Sequence, residues 1–207
     1  MPRLPRQIIL AVAAVVIGAS AAFAAIDTSF LEGPWPHERV RQTEVGRYPV
    51  RWRSRIAKNE GIFAGLRFIA PLNAQTIWGM SSDYHDIGTK VPGVKAVRFL
   101  EQSETREVIA IDVKVLWKEL TLTFEVEREP PRVMRFRLVN EALGEYRGAA
   151  IYTPEGTGTA VELSTWLKTA HPVPAGLLLG VERMALLQGV REFLEDCDQR
   201  LKANPPR

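Results

Sequence analysis

The chain has 207 residues, 46% hydrophobic and 25% charged, with a formal net charge of +3. Its single cysteine, Cys197, excludes an intramolecular disulfide framework, and a chain of this size can bury a core without one. Removing Arg3 and Arg6 with the N-terminal segment leaves 25 basic against 24 acidic side chains, a net charge of +1, so charge gives no ground for nucleic-acid binding.

Those two arginines stand in an acid-free start, and residues 8–26 continue without any charge. The most hydrophobic part, 8–17, is shorter than the roughly 20 residues of a spanning helix. It fades into alanine-rich sequence where Ala22-Phe23-Ala24 supplies a small-x-small cleavage pattern. Residues 1–25 are therefore expected to be a signal peptide cut after Ala24 or Ala25, or an uncleaved membrane anchor. Either one exports the remainder, to the periplasm or the exterior, or holds it at a membrane.

Residues 26–59 read as a polar N-terminal extension ahead of a domain expected over 60–203. Within it Val50, Trp52, Ser54 and Ile56 alternate with Arg51, Arg53 and Arg55, which predicts an extended strand with one basic face, either solvated or set against anionic lipid head groups. Residues 62–70 form the next strand, closed by Pro71. Asn73 can cap a short helix over 74–81 that gathers Ile77, Trp78 and Met80. Residues 82–86 lead into a second short turn, broken by Pro92-Gly93.

Beyond Gly93 the pattern is that of an antiparallel meander. Ile109, Ile111, Val113, Val115 and Trp117 share one face. Leu120, Leu122, Phe124 and Val126 alternate with Thr121, Thr123, Glu125 and Glu127, and Glu125, Glu127 and Glu129 are expected to be solvated. Pro130-Pro131 ends that strand. Met134, Phe136 and Leu138 alternate with arginines, residues 145–153 make another strand, 154–158 a turn, and Val161, Leu163, Thr165 and Leu167 the last inward set. After Pro172 and Pro174, the recurrence of Leu187, Val190, Leu194, Cys197 and Leu201 predicts a long amphipathic helix that stops at Asn204-Pro205-Pro206. Cys197 sits in that pattern as a buried structural thiol.

An antiparallel sheet with one apolar face must cover it, and this helix is the available cover. The predicted class is α+β: a curved antiparallel sheet of about seven strands wrapped on a long C-terminal helix, with two short helices after the first strand. A sheet that curves away from its helix leaves apolar space between them, the usual character of a small-molecule pocket.

This order of elements is joined by local motifs. Ile69-Ala70-Pro71 precedes Ile77-Trp78, and Val91-Pro92-Gly93-Val94 follows. Glu129-Pro130-Pro131-Arg132 stands before Phe136, and Gly156-Thr157-Gly158-Thr159 before Val161. Together, over about residues 62–201, they resemble the START-like, birch-pollen-allergen-like superfamily, also called SRPBCC, and within it the polyketide cyclase/dehydrase and coenzyme-Q-binding START-domain branch. The resemblance implies a helix-grip fold with a cavity for a hydrophobic ligand. It does not name the ligand, because one fold hosts many functions.

For a lipid, quinone or similar flat apolar molecule the candidate wall is Trp78, Val113, Val115, Trp117, Leu122, Phe124, Phe136, Tyr146 and Leu163. Leu177, Val181 and Met184 are the candidate helix side. Each could equally be ordinary core. Chemistry-bearing clusters are scarce: His37, His85 and His171 are far apart without metal-ligand spacing, and Gly156 and Gly158 fall in a hairpin rather than a phosphate loop. Asp83, His85 and Asp86 read either as a general base with its carboxylate or as a polar link. No catalytic residue, metal or cofactor is assigned. The expected partners are a hydrophobic small molecule and a possible membrane surface, with no nucleic acid and the oligomeric state left open. Two alternatives remain: a polyketide cyclase/dehydratase-type enzyme using Asp83, His85, Tyr146 or Tyr152, and a membrane-surface or protein-interaction domain built on the basic strand and residues 175–180.

Overall fold

The computed structural model describes residues 25–83, 94–115, 118–140, 144–169 and 172–203. Within them the chain forms β1 (Arg39–Val45), β2 (Tyr48–Ala57), β3 (Gly61–Ala70), α1 (Ala74–Ser81), β4 (Val94–Gln102), β5 (Arg106–Val115) and β6 (Lys118–Glu129). β7 (Val133–Leu138), β8 (Glu145–Glu155), β9 (Gly158–Lys168) and α2 (Ala175–Ala203) follow. The strands make one curved antiparallel sheet in the order β1-β2-β3-β9-β8-β7-β6-β5-β4. Hairpins join neighbours throughout, and β3 against β9 brings the two ends of the chain together.

Strand alternation decides which side chains share a face. The register pairs Trp52 with Leu66, Leu66 with Leu163, Leu163 with Ala150 and Ala150 with Met134, one apolar rung across five strands. α2 crosses this concave face, burying Val190, Leu194 and Cys197. Each aliphatic side chain so buried contributes about 1.5–3 kcal/mol. Pro174 lies just ahead of α2, and its carbonyl accepts the Leu177 amide at 2.9 Å. α1 is capped as its sequence predicts, the Thr76 amide donating to Asn73 Oδ1 at 3.0 Å. Burial pushes the Cys197 thiol up to about 12, so it is a packing group and no nucleophile at neutral pH.

The sheet has nine strands where about seven were expected. β1 and β2 supply the difference, both ahead of residue 60. Val50 and Trp52 are buried, which draws this stretch into the sheet despite its arginines. β1 escaped notice because Arg-Val-Arg-Gln-Thr-Glu-Val carries charge on both faces. One short helix, α1, is described after β3; the second predicted turn lies in residues 84–93, outside the described residues. Of the segment expected to be a signal peptide or anchor, residues 1–25, all but Ala25 also lie outside them.

Residues 25–38 form a strap over the convex back of the sheet. The Ile26 amide donates to Glu127 Oε2 at 3.1 Å on β6. Beyond the 3-10 turn Ser29–Leu31, Trp35 packs on Phe63 with ring centroids 5.5 Å apart. Leu31, Trp35, Ala57 and Phe63 make a second small core there. Arg53 of β2 is engaged by this strap: its guanidinium lies 4.0 Å over the Trp35 ring and donates to the Leu31 carbonyl at 3.0 Å, while Arg55 pairs with Glu60 of the following turn at 3.1 Å. Glu125 also departs from expectation. It is only 1% exposed, held by Arg106 at 2.8 Å and Arg137 at 2.5 Å, because the convex face is covered by paired charges and not by water.

Gly148 is required by packing. The Phe136 ring lies directly over it, so a Cβ at this position would fall inside the ring. Gly148→Ala should cost about 1–3 kcal/mol in urea unfolding, the usual penalty of overpacking, and Phe136→Leu in the same chain should return part of it.

Candidate ligand-binding site

Between α2, the sheet and α1 lies a cavity of about 260 Å³. Its floor is Phe68, Ala150, Tyr152, Val161 and Leu163; its roof is Ala185, Leu186, Gly189, Val190 and Phe193 of α2; Met80 and Ser81 of α1 close one side. Glu192 and Asp196 add carboxylates to an otherwise apolar lining. The space exists because several opposed positions are small. Nothing approaches within 4 Å of where a Gly189 Cβ would stand, and Ala150 and Ala185 withhold bulk from floor and roof. Rings frame what remains: Phe68 meets Phe193 edge-on at 6.1 Å, and Trp78 meets Tyr152 at 5.5 Å. A larger hollow, about 960 Å³, lies around Arg106, Glu125, Arg137, Arg147 and Lys168. Charged side chains stand in its walls beside Val108, Leu138, Val139 and Tyr146, so it is less uniformly apolar than the cavity under α2.

Further along β8 the concave face becomes polar. Glu182 of α2 accepts hydrogen bonds from the Tyr146 hydroxyl at 2.8 Å and from Thr165 Oγ1 at 2.7 Å. Tyr146 lies about 13 Å from Ala150 at the usual rise of a strand. Burial first, then the Glu182 charge, pushes the Tyr146 hydroxyl well above its ordinary value. Burial also raises the Tyr152 hydroxyl above its ordinary value. Both are neutral hydrogen-bond donors at physiological pH and neither supplies a tyrosinate base. Tyr146 also joins an aromatic cluster, 6.1 Å from Phe124 and 5.8 Å from Phe136.

Of the residues singled out from sequence, Leu163 lines the cavity and Trp78 is buried behind Tyr152. Phe124, Phe136 and Tyr146 come together beyond it, and Val113 and Leu122 are half-buried on the same face of β5 and β6. The Val115 side chain, Trp117, His85, Asp86 and His171 lie outside the described residues; Asp83 is exposed. The helix side is corrected. Leu177, Val181 and Met184 are 61%, 52% and 68% exposed, and α2 turns Leu186, Val190 and Phe193 to the cavity instead. The run Leu177-Leu178-Leu179-Gly180-Val181 is apolar all round, so its sequence does not declare which stripe faces inward. Sequence reading also missed Phe68, Gly189 and Glu182. For Glu182 a signal existed: it is the only acid between Pro174 and Glu192.

Among the described residues no group of His, Cys, Asp and Glu is arranged to hold a metal, and no helix is long and apolar enough to cross a membrane.

A long C-terminal helix lying on a curved antiparallel sheet, with an apolar cavity between them, defines a helix-grip protein of the START-like class. The sequence profile of the family described as polyketide cyclase / dehydrase and lipid transport matches residues 67–204, two thirds of the chain, and the chain belongs to that family. No curated protein sequence matches it. Among solved structures, a STAR-related lipid transfer protein fragment from Xanthomonas axonopodis is similar at a TM-score of 0.63 and 13% identity, covering 76% of this chain and 98% of its own. The Zhui aromatase/cyclase from a Streptomyces species gives 0.63 and 16%, covering 74% and 99%. Human STARD10 gives 0.63 and 7%, covering 81% and 76%. At these identities the likeness shows the fold.

Proposed function

We propose that this protein is a noncatalytic binder of an apolar small molecule, such as a lipid or quinone, held between the sheet and α2. The observation that carries the reading is the cavity itself: apolar on floor and roof, and kept open by Ala150, Ala185 and Gly189 where larger side chains would close it. The aromatic cluster of Phe124, Phe136 and Tyr146 extends the apolar face. Glu182, Tyr146 and Thr165 offer a polar end for a ligand hydroxyl or carbonyl. The family description includes lipid transport, and one similar structure is a lipid transfer protein, which supports the same reading. The site of action is proposed to be outside the cytoplasm or at a membrane, on the strength of the uncharged stretch at 8–26.

A second reading, a polyketide cyclase or dehydratase, is favoured by one observation, the Glu182 carboxylate hydrogen-bonded to the Tyr146 hydroxyl inside the grip. The two readings part on Glu182→Gln. A binder keeps its apolar ligand within about tenfold in affinity, the scale of one hydrogen bond; an enzyme using this carboxylate loses about 10²–10⁴-fold in turnover of a polyketide-like substrate.

Gly189→Leu tests the cavity. Leucine is a better helix former than glycine by roughly 0.8 kcal/mol and its side chain enters the open space. Uptake of a hydrophobic fluorescent dye should fall about tenfold or more, while the melting temperature holds or rises. Undiminished uptake in a folded variant would remove this cavity as the ligand site.

A further inference from the structure

Across the other flank of α2, away from the cavity, three arginines converge. Arg39 and Arg41 stand two residues apart on β1, paired in register with Ser54 and Trp52, so all four share the face that α2 covers. Arg183 reaches down from α2, its guanidinium 6.0 Å from the centroid of the Trp52 ring. With Gly180 and its neighbours on the helix they line a pocket of about 190 Å³.

Among the described residues no acidic side chain lines this pocket, and none forms an ion pair with Arg39, Arg41 or Arg183. Other arginines of this chain that gather at one place are matched by carboxylates. Arg47 faces Asp198, Arg98 faces Asp112, Arg128 faces Glu107 and Arg137 faces Glu125, all within 3.0 Å. Arg183 Nε is moreover buried without a hydrogen-bond partner. Clustered guanidinium groups repel one another unless an anion lies among them, and a buried N–H without an acceptor is costly. No atom stands within 4 Å of the Cβ positions of Gly176 and Gly180, so the helix side is open. The first turn of α2 holds no acid to offset its positive dipole end.

We propose that this pocket binds a phosphate group, whose oxygens accept the guanidinium forks of Arg39, Arg41 and Arg183 in the paired geometry that arginine favours. The proposal is independent of the apolar cavity. Two sources carry this chemistry, a soluble phosphorylated molecule and the head group of an anionic phospholipid. The second has a specific attraction here, because Leu177, Val181 and Met184 stand exposed on the same turns of α2.

The test has two arms on the purified full chain. Inorganic phosphate is titrated by calorimetry at low salt, and binding to phosphatidylcholine vesicles is compared with and without phosphatidylglycerol. Saturable phosphate binding is expected, weakened about tenfold or more by Arg39→Gln with Arg41→Gln and by Arg183→Gln, each a lost charge-assisted contact, and left within about twofold by Arg191→Gln further along α2. A gain on phosphatidylglycerol that the same variants abolish, and that excess phosphate competes away, identifies the head group. Phosphate binding without that gain identifies a soluble ligand. Circular dichroism confirms folding, and the paired β1 variant, on an exposed strand, decides the matter if Arg183→Gln unfolds. Neither phosphate binding nor a phosphatidylglycerol gain, or an equal loss in Arg191→Gln, would overturn the proposal.

Discussion

A nine-stranded sheet with one concave apolar face has a single long helix to cover it, and most of the structure follows from that shortage. α2 is anchored through Val190, Leu194 and Cys197, over the half of the sheet that contains β3. There the packing is tight enough to bury a thiol completely. Elsewhere the helix cannot reach every rung. Phe124, Phe136 and Leu122 stay half-buried, and where Ala150, Ala185 and Gly189 stand the grip does not close. A close-packed interior would spend such space on larger side chains, since a void forfeits both dispersion contacts and apolar burial. Its retention beside buried aromatic rings is what gives the binding reading its weight.

The two faces of the sheet solve different problems. The concave face is largely apolar, with a polar station where Glu182 is held by Tyr146 and Thr165 and arginines at its β1 edge. The convex face is laid with pairs of opposite charge and then crossed by residues 25–38. Glu125 illustrates the difference: a carboxylate this deeply buried is tolerable because two guanidinium groups neutralise it. The strap also explains why Arg53 of β2 is a poor candidate for a lipid surface. Arg53 is already engaged with an aromatic ring, carbonyls and Ser164. On the opposite face, Arg183 rests on the Trp52 ring, and among the described residues no carboxylate pairs with it or with the arginines of β1.

Much of the fold was legible in the sequence because strand alternation is a strong signal where one face is buried. Leu120, Leu122, Phe124 and Val126 predict a strand from their period alone, and the capping asparagine at 73 predicts α1. β1 was not legible, since charge falls on both of its faces and only Val45, at its end, is buried in the core. Glu125 was misread for a related reason: alternation tells which face a residue occupies, not what covers that face. The site was less legible than the fold. Side chains such as Leu163 and Phe136 announce themselves by size, whereas the cavity depends on smallness at Ala150, Ala185 and Gly189, which no hydrophobic pattern marks. The phase of α2 was lost where leucines occupy every side of the first turns.

The central claim is that an apolar molecule occupies the grip. Native mass spectrometry of the protein recovered from its own cells, followed by organic extraction of the bound material, tests it most directly. The expected result is one defined lipid, quinone or similar apolar compound at near-equal amount, released when the protein unfolds. Protein that carries no such compound and takes up no hydrophobic dye would contradict binding in the grip and shift the weight to Glu182 and transient catalysis.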